Sequence, residues 1–254
     1  MKTRLARLDW RGIERSLWQW GYAKTPPVLS PSECAELIGL YTDERRFRST
    51  IDMARYKFGV GEYRYFAAPL PSLVETLRRH AYPPLAAIAN RWEAALSSSV
   101  TRLASDGGAP APRRPAARTS VVHPASLDGL LALCRRRGQT KPTPLLLHYE
   151  TGGYNCLHQD LYGDVVFPLQ LTCFLSRRGG DYTGGDFLLV EQRPRAQSRG
   201  EAIATEQGEI VIFATRYRPV EGARGVYRTA MRHGVSRVTS GSRYTLGVIF
   251  HDAK

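Results

Sequence analysis

The chain has 254 residues, of which 43% are hydrophobic, and it carries a formal net charge of +13. That length and hydrophobic content suffice for one sizeable core and exclude a disordered chain. No stretch approaches the roughly 20 apolar residues of a membrane helix, and the N-terminal segment lacks the apolar core of a signal peptide. We therefore expect a cytoplasmic protein without membrane contact. The charge favours a polyanionic partner such as nucleic acid, although a genome that prefers arginine codons would also produce it.

Residues 1–143 predict mainly helices. A stripe of apolar residues among charges predicts one helix over residues 1–20, and Gly21 ends it. A second helix begins at Ser30, because its hydroxyl can cap the helix and Glu33 completes a capping box. This half of the chain therefore reads as a helical support region.

The rest of this region alternates between extended and helical patterns. Aromatic and polar residues alternate from Met53 to Phe66, which predicts a strand or hairpin. Leu70 to Leu96 has a helical pattern with an interruption at residues 83–84, which are both proline. Residues 97–125 are rich in Ser, Ala, Gly, Pro and Arg, as expected for a flexible insertion. A short helix then covers Leu127 to Arg137.

Residues 144–254 have a different character, with short apolar segments separated by turns that contain Gly and Asp. Several short strands at this spacing, without long helices between them, predict a β barrel or a jelly roll. The chain would then be one structural domain, in which the helical region supports a C-terminal β core. The candidate strands are Leu145 to Tyr149, Phe167 to Leu175, Asp186 to Glu191, Glu209 to Phe213 and Tyr244 to Phe250.

Two histidines and an aspartate in the β half form a candidate metal site. His158 and Asp160 are two residues apart, and residues at that spacing in a strand point to the same face. His233, from a neighbouring strand, would complete two imidazoles and one carboxylate on one side of a metal ion. This ligand set leaves coordination positions open, as a non-heme Fe(II) oxygenase requires. A His-x-Asp pair alone is weak evidence, because it recurs by chance in many chains.

The sequence around these residues resembles prolyl-4-hydroxylase-type 2-oxoglutarate oxygenases. Tyr149 to Asp160 is similar to the Tyr-x-x-Gly-Gly run that leads into His-x-Asp in that family. The other family motifs follow in order, although Asp186 stands where Glu is more usual. They are a Gly-Gly segment before a strand at Thr183 to Phe187, a glycine and strand at Gln207 to Phe213, and a distal signature from His233 to Arg243.

The resemblance implies both a fold and a chemistry. The fold would be α+β, with a double-stranded β-helix (jelly-roll) core and supporting N-terminal helices. The activity would be that of a dioxygenase that uses Fe(II), 2-oxoglutarate and O2 and releases succinate and CO2. His158, Asp160 and His233 would be the catalytic metal ligands.

Three further residues match the cosubstrate site that the resemblance implies. Arg243 opens an apolar strand after a turn, where an unpaired charge is costly unless it lies at the surface. Its guanidinium would form a bidentate ion pair with the distal carboxylate of 2-oxoglutarate. Thr245 would donate its hydroxyl to the same carboxylate. Tyr149 would contact the cosubstrate through its hydroxyl, although a role in the core fits it nearly as well, and Asn155 is a weaker candidate.

The substrate is less well defined than the chemistry. The chain as a whole resembles a group of bacterial oxygenases that act on damaged, alkylated DNA, and its basic charge agrees with such a partner. Tyr63 to Phe66 would offer stacking surfaces for an extruded base, or form a buried hairpin. Arg243 to Gly247 lacks the second arginine of DNA-dealkylating enzymes. Oxidative dealkylation of nucleic acid is therefore the first hypothesis, and hydroxylation of a protein or peptide is the second. The intact ligand set disfavours a third, a binding module without metal.

Overall fold

The structure is a computed structural model that describes residues 1–105, 122–223 and 225–254. For residues 99–105 it describes the helical backbone and not the side chains. The flexible insertion predicted at 97–125 therefore lies mostly outside the described residues, although its first part continues a helix. Among the described helices, none combines the length and the apolar composition that a membrane span needs.

Helices dominate the N-terminal part of the chain. The predicted capping box is present, since the Glu33 backbone N–H donates to the Ser30 hydroxyl (3.2 Å) and the Ser30 N–H donates to the Glu33 carboxylate (2.7 Å). Gly21 ends a helix in the left-handed conformation, as expected. The described α-helices are α1 (Lys2–Ala6), α2 (Trp10–Trp20), α3 (Pro31–Gly39), α4 (Ser72–Ser105) and α5 (Leu127–Arg136).

Two helical predictions were wrong. The first 20 residues form two helices rather than one, because the Asp9 carboxylate accepts a hydrogen bond from the Gly12 backbone (2.9 Å) and caps a new helix. Helix α4 runs through the prolines at 83–84 without an interruption. The residues on either side, Tyr82 and Leu85, are fully buried, and their packing outweighs the local preference.

The strands predicted for the C-terminal half are all present, with ends that shift by a few residues. Additional strands that the sequence did not indicate join them. The described strands are β1 (Tyr22–Lys24), β2 (Phe47–Asp52), β3 (Gly59–Val60), β4 (Glu62–Phe66), β5 (Leu145–Glu150), β6 (Tyr154–His158), β7 (Leu169–Phe174), β8 (Tyr182–Gly184), β9 (Phe187–Gln192), β10 (Arg199–Ile203), β11 (Ile210–Ala214), β12 (Tyr217–Gly222), β13 (Gly225–Val235) and β14 (Val238–Val248).

The described strands form two antiparallel sheets. The larger has the order β1-β11-β7-β14-β5-β4-β2, with β8 attached to β14. The smaller has the order β10-β9-β13-β6-β3, with β12 attached to β13. Two such sheets around one core make a jelly roll, so the predicted α+β fold class is confirmed. The region before residue 144 supplies β1 to β4 as well as helices, and it therefore contributes to both sheets.

A continuous hydrophobic cluster joins the helices to both sheets. Leu17 of α2, Leu77 of α4, Val211 of β11 and Leu189 of β9 belong to it, and all are buried. Close packing of this kind fixes the register of the strands, because a shift by one residue would move every buried side chain to the other face. Between the sheets it leaves a cavity of about 380 Å³, lined by residues of β5, β7 and β14 on one side and of β6 and β13 on the other.

Candidate active site

His158 and Asp160 lie at the end of β6. His158 is the last residue of the strand, and Asp160 follows in irregular chain. Their side chains meet, although Asp160 does not lie in a strand as the spacing argument assumed. His158 Nδ1–H donates a hydrogen bond to the carbonyl oxygen of Cys156 at 2.8 Å. This bond leaves Nε2 of His158 facing the carboxylate, 3.7 Å from Asp160 Oδ1.

The pairing of two strands brings His233 to these residues. In the register between β13 and β6, His233 lies opposite His158, and the centroids of the two rings are 4.2 Å apart. His233 Nε2 is 3.2 Å from Asp160 Oδ2. The candidate ligand atoms of the three residues lie within 4.8 Å of one another. The structure thus brings together the three residues that the sequence predicted as metal ligands.

Burial and mutual contact set the charge state of this cluster. Asp160 and His233 are each less than a tenth exposed. Burial lowers the pKa of His233, and the neighbouring His158 lowers it further. The imidazole is therefore neutral and offers a lone pair. Burial alone would raise the pKa of Asp160, but the two imidazoles and a hydrogen bond from Tyr162 lower it. A neutral imidazole beside an ionised carboxylate suits a divalent metal ion.

A short hydrogen-bond chain leads away from Asp160. The Tyr162 hydroxyl donates to Asp160 Oδ1 at 2.8 Å, and the Tyr65 hydroxyl donates to the Tyr162 oxygen at 3.0 Å. Burial raises the pKa of both phenols, so both remain protonated donors. The Arg48 guanidinium covers the Tyr65 ring, 4.5 Å from its centroid. The chain holds one oxygen of the Asp160 carboxylate and leaves the other to face His233.

Arg243 lies in the same cavity, buried inside β14. The sequence placed it at the start of a strand, but β8 pairs with the first part of β14 and the strand begins earlier. Arg243 is 1% exposed, and its guanidinium nitrogens have no hydrogen-bond partner among the described residues. The ring centroids of Tyr149, Phe174 and Tyr182 surround it at 5.5 to 5.8 Å. A buried guanidinium without an anion is costly, so this position fits an anionic ligand.

The glycine pair that precedes β9 packs against this arginine. Gly185 has a φ of +59°, and a Cβ atom at this position would lie 2.8 Å from Cδ of Arg243. Any other residue would be strained there and would displace the stem of the arginine. The second glycine of the Gly-Gly motif is therefore required so that the backbone can pack closely against the Arg243 side chain.

Thr245 and Tyr149 line the cavity beside Arg243. Strands β14 and β5 pair so that Arg243 lies opposite Tyr149, and Thr245 faces the same way as Arg243. Burial raises the pKa of Tyr149 to about 12, so its hydroxyl stays protonated. The Asn155 side-chain amide donates to this hydroxyl at 3.3 Å. The three residues predicted for the cosubstrate thus share one cavity with the predicted metal ligands.

Sequence reasoning missed other polar residues of the cavity. Tyr162 follows Asp160 in irregular chain, where the two-residue spacing of a strand does not apply, so only the fold shows that its hydroxyl meets Asp160. Gln170 of β7 lines the cavity, is buried, and its amide nitrogen has no partner among the described residues. A glutamine inside an apolar strand is a signal that the sequence does contain. The segment Tyr63 to Phe66 offers little surface on which a base could stack. Tyr65 and Phe66 are buried, and the other two residues are only partly exposed.

A comparison with known protein families identifies the family of this chain. A family described as oxygenases catalysing oxidative methylation of damaged DNA matches residues 61–104 and 114–253, well over half of the sequence. The chain belongs to this oxygenase family. The matched residues include the three predicted metal ligands and Arg243.

This oxygenase is similar to some known proteins in sequence and to others in fold alone. Two uncharacterized proteins of Mycobacterium tuberculosis are each 48% identical over 188 residues, which are 74% of this chain and 72% of theirs. The alpha-ketoglutarate-dependent epimerase SnoN from nogalamycin biosynthesis has a TM-score of 0.53 at 13% identity, covering 94% of this chain and 80% of its own. A Trichoplax adhaerens prolyl hydroxylase, solved with a hypoxia inducible factor peptide fragment, has a TM-score of 0.51 at 13% identity, covering 99% and 91%. At such identities these two structures show a shared fold.

As a member of this oxygenase family, the protein is an enzyme that oxidises its substrate. The predictions of an oxygenase and of a link to damaged DNA are thereby confirmed at the level of the family. The roles of individual residues, and the binding of Fe(II) and 2-oxoglutarate, stay predictions.

Proposed function

We propose that this oxygenase binds one Fe(II) ion through His158, Asp160 and His233, and oxidises alkylated nucleic acid with 2-oxoglutarate and O2. One observation supports the proposal most strongly. The converging ligand atoms of these three residues and the unpartnered guanidinium of Arg243 face one cavity. A dicarboxylate that chelates a metal at one end and needs a cation at the other fits this arrangement.

The donor set fits iron, and the chain's own residues hold it in place. When bound, the iron supplies the activation of O2, coupled to decarboxylation of 2-oxoglutarate to succinate and CO2. The Cys156 carbonyl orients the His158 ring, and Tyr162 orients the Asp160 carboxylate. The ring of Phe213 packs on His233, with centroids 4.7 Å apart. Outer contacts of this kind keep a ligand set in the geometry that the metal requires.

The cosubstrate site is proposed at the other end of the cavity. Arg243 would bind the distal carboxylate of 2-oxoglutarate with two parallel hydrogen bonds, and Thr245 would donate a third. Tyr149 keeps its proton and would contact the same molecule through its hydroxyl. The aromatic rings around Arg243 exclude water, which strengthens the ion pair.

Nucleic acid is the proposed substrate because of the family and because the net charge of +13 suits a polyanion. Hydroxylation of an N-methyl carbon gives a hydroxymethyl group, which leaves as formaldehyde and restores the N–H bond. One O2 atom enters succinate and the other leaves in formaldehyde, so the reaction balances. A paired base cannot reach a cavity between two sheets, so we expect a single-stranded or extruded base. The cytoplasm is the proposed location.

Succinate release tests the proposal. The protein is loaded with Fe(II) and 2-oxoglutarate without oxygen, then exposed to O2 with methylated single-stranded oligonucleotides or with peptides. We expect equal amounts of succinate and formaldehyde from methylated oligonucleotides, above the level with unmodified ones. Turnover of peptides alone would overturn the nucleic-acid assignment and favour a protein or peptide hydroxylase. The cosubstrate strand, which has Arg243 and Thr245 without a second arginine, is the observation that favours this second candidate.

Tyr162→Phe should weaken metal binding. The change removes the hydrogen bond to Asp160 and keeps the ring, so the carboxylate is free to turn away from His233. We expect the affinity for the metal to fall about tenfold. Equilibrium titration with Co(II), a coloured stand-in for Fe(II), measures this without turnover. Tyr154→Phe is the control, because Tyr154 is an exposed tyrosine of β6 that does not line the cavity. Equal affinities in the wild type and Tyr162→Phe would contradict the positioning role.

A further inference from the structure

A pair of exposed aromatic rings lies at the rim of the cavity. Tyr56 and Phe58 are 48% and 47% exposed, and their rings stack with centroids 5.7 Å apart at an angle of 19°. Phe58 and the intervening Lys57 line the cavity. Single exposed aromatic residues are common, but a stacked pair beside a cavity is typical of a binding surface. We name residues 53–58 the aromatic loop.

The backbone of the aromatic loop is ordered at a local conformational cost. Lys57 has a φ of +60°, in the left-handed region that residues other than glycine rarely adopt. The Phe58 backbone N–H closes the turn by donating to the carbonyl oxygen of Met53 at 3.0 Å, and the Met53 side chain is fully buried. Strained backbone that the surroundings hold in place occurs preferentially at ligand sites.

Hydrogen bonds connect the aromatic loop to the strand that ends in His158. The Cys156 backbone N–H donates to the Phe58 carbonyl at 2.8 Å. The Cys156 carbonyl in turn accepts the bond from His158 Nδ1–H, also at 2.8 Å. Strand β3, which follows the loop, pairs with β6. A ligand stacked on Tyr56 and Phe58 would therefore have a fixed position relative to the proposed iron site.

Two cationic side chains, Arg55 and Lys57, lie in the aromatic loop beside these rings. The Arg55 guanidinium lies 5.8 Å from the centroid of the Tyr56 ring, and Lys57 follows in the same turn. In the described part of the chain, neither cation forms an ion pair. Unneutralised positive charge beside exposed flat rings suits a ligand that combines anionic groups with aromatic ones.

A second aromatic and cationic pair lies beyond the end of β6 that carries His158. Gln159, the residue after His158, donates its side-chain amide to the Arg216 carbonyl at 3.2 Å. The Arg216 guanidinium lies 4.6 Å from the centroid of the exposed Tyr217 ring. Strands β6 and β12 pair with the same edge of β13, opposite β9, so Arg216 and Tyr217 follow the end of β6, and the aromatic loop precedes β3 at its side.

We infer that the aromatic loop binds the base next to the oxidised nucleotide of a single strand, and that Arg216 and Tyr217 bind the strand beyond the end of β6. Single-stranded nucleic acid combines a flat ring and a negative charge in every unit, which matches both aromatic and cationic pairs. An acidic peptide would satisfy Arg55 and Lys57 but would offer no regular flat rings to the stacked pair. The inference rests on the proposed function and adds the path of the substrate strand.

A methylated oligomer and the corresponding methylated mononucleotide separate the loop from the catalytic cavity. For Tyr56→Ala and Phe58→Ala we expect kcat/KM for the oligomer to fall about tenfold, because a stacked base loses its platform. Tyr56→Ala, whose ring does not line the cavity, should keep the wild-type kcat/KM for the mononucleotide, which has no neighbouring base. Trp20→Ala is the matched control. Trp20 is also an exposed ring beneath an arginine, Arg199 at 5.3 Å, but it does not line the cavity.

Binding of an undamaged oligothymidylate, followed by fluorescence anisotropy, provides a readout that does not depend on turnover. Arg55→Gln, Lys57→Gln and Arg216→Gln should each reduce the slope of log Kd against log salt by about 0.7, because each removes one phosphate contact. Tyr56→Ala should weaken binding and leave the slope unchanged, since stacking releases no counterions.

The two levels of proposal fail in different ways. If the wild-type enzyme oxidises no nucleic acid, the proposed function is wrong. If it does, and the variants of Tyr56 and Phe58 keep its kcat/KM for the oligomer, the inference about the aromatic loop is overturned. It is also overturned if Tyr56→Ala loses activity on the oligomer and the mononucleotide equally, because this change would then act on the cavity itself.

Discussion

His233→Ala is expected to abolish succinate release and to remove tight binding of Fe(II). The imidazole is one of three candidate ligands, and its Nε2 lies 3.2 Å from Asp160 Oδ2. Without it, two groups cannot hold the ion in the geometry that the reaction needs. We expect kcat/KM to fall by roughly three orders of magnitude or more, since a catalytic metal contributes several kcal/mol. Anaerobic Fe(II) titration and a succinate assay measure the two effects separately.

A distant histidine provides the control for this experiment. His80 lies on α4, where its Nδ1 bonds to the Thr76 carbonyl at 2.8 Å, and it does not line the cavity. His80→Ala should keep wild-type turnover, and thermal melting should show that both variants fold. A folded His233→Ala protein that released succinate at the wild-type rate would remove His233 from the proposed ligand set.

The fold class was predictable because the core strands are short, apolar and separated by turns. Strands β6 and β13 are not among the candidate strands, although the metal-site prediction assumed that His158 and His233 lie in strands. No residue of β6 is buried, and polar residues interrupt the apolar pattern of β13. In β13, Arg228 and Arg232 are exposed and alternate with buried positions that include His233. The two strands that carry the candidate histidine ligands were thus harder to predict than the apolar strands that complete the cavity.

Pairing over long sequence distances was also not predictable. In the pairing of β1 with β11, Ala23 lies opposite Ile212. No local pattern encodes such a partner, because the pairing depends on the helices and strands that pack around it. The sequence therefore did not predict the place of β1 in the larger sheet.

Some residues of the candidate site could be predicted from the local sequence, and others could not. The spacing of His158 and Asp160 and the family motifs around His233 can be read locally. The stacking role that we infer for Tyr56 and Phe58 cannot be predicted from the local sequence, because alternating aromatic and polar residues are equally typical of a buried hairpin. The structure buries Phe66 and exposes Tyr56 and Phe58 in the same predicted segment. Only the tertiary arrangement distinguishes a core ring from a ring that meets a ligand.

Arg243→Met is expected to raise the requirement for 2-oxoglutarate about 100-fold without destabilising the fold. Loss of one partner of a buried, hydrogen-bonded charge pair reduces affinity by this order. In the protein itself, the guanidinium is buried and has no anionic partner among the described residues. An unbranched apolar side chain fills a similar space without the desolvation penalty of a charge. Thermal melting should therefore show a melting temperature equal to or above that of the wild type.

The carboxylate that Arg243 binds can be tested with 2-oxobutanoate, which has the keto acid group of 2-oxoglutarate but no distal carboxylate. The wild type should prefer 2-oxoglutarate by about 100-fold, and the Arg243→Met variant should prefer neither. Arg237→Met is the control, because Arg237 is exposed and lies on the same segment of the chain. If Arg243→Met kept the wild-type preference, the distal carboxylate would bind elsewhere. The buried charge would then need another anion to explain it, because a guanidinium in this ring-lined position is unfavourable alone.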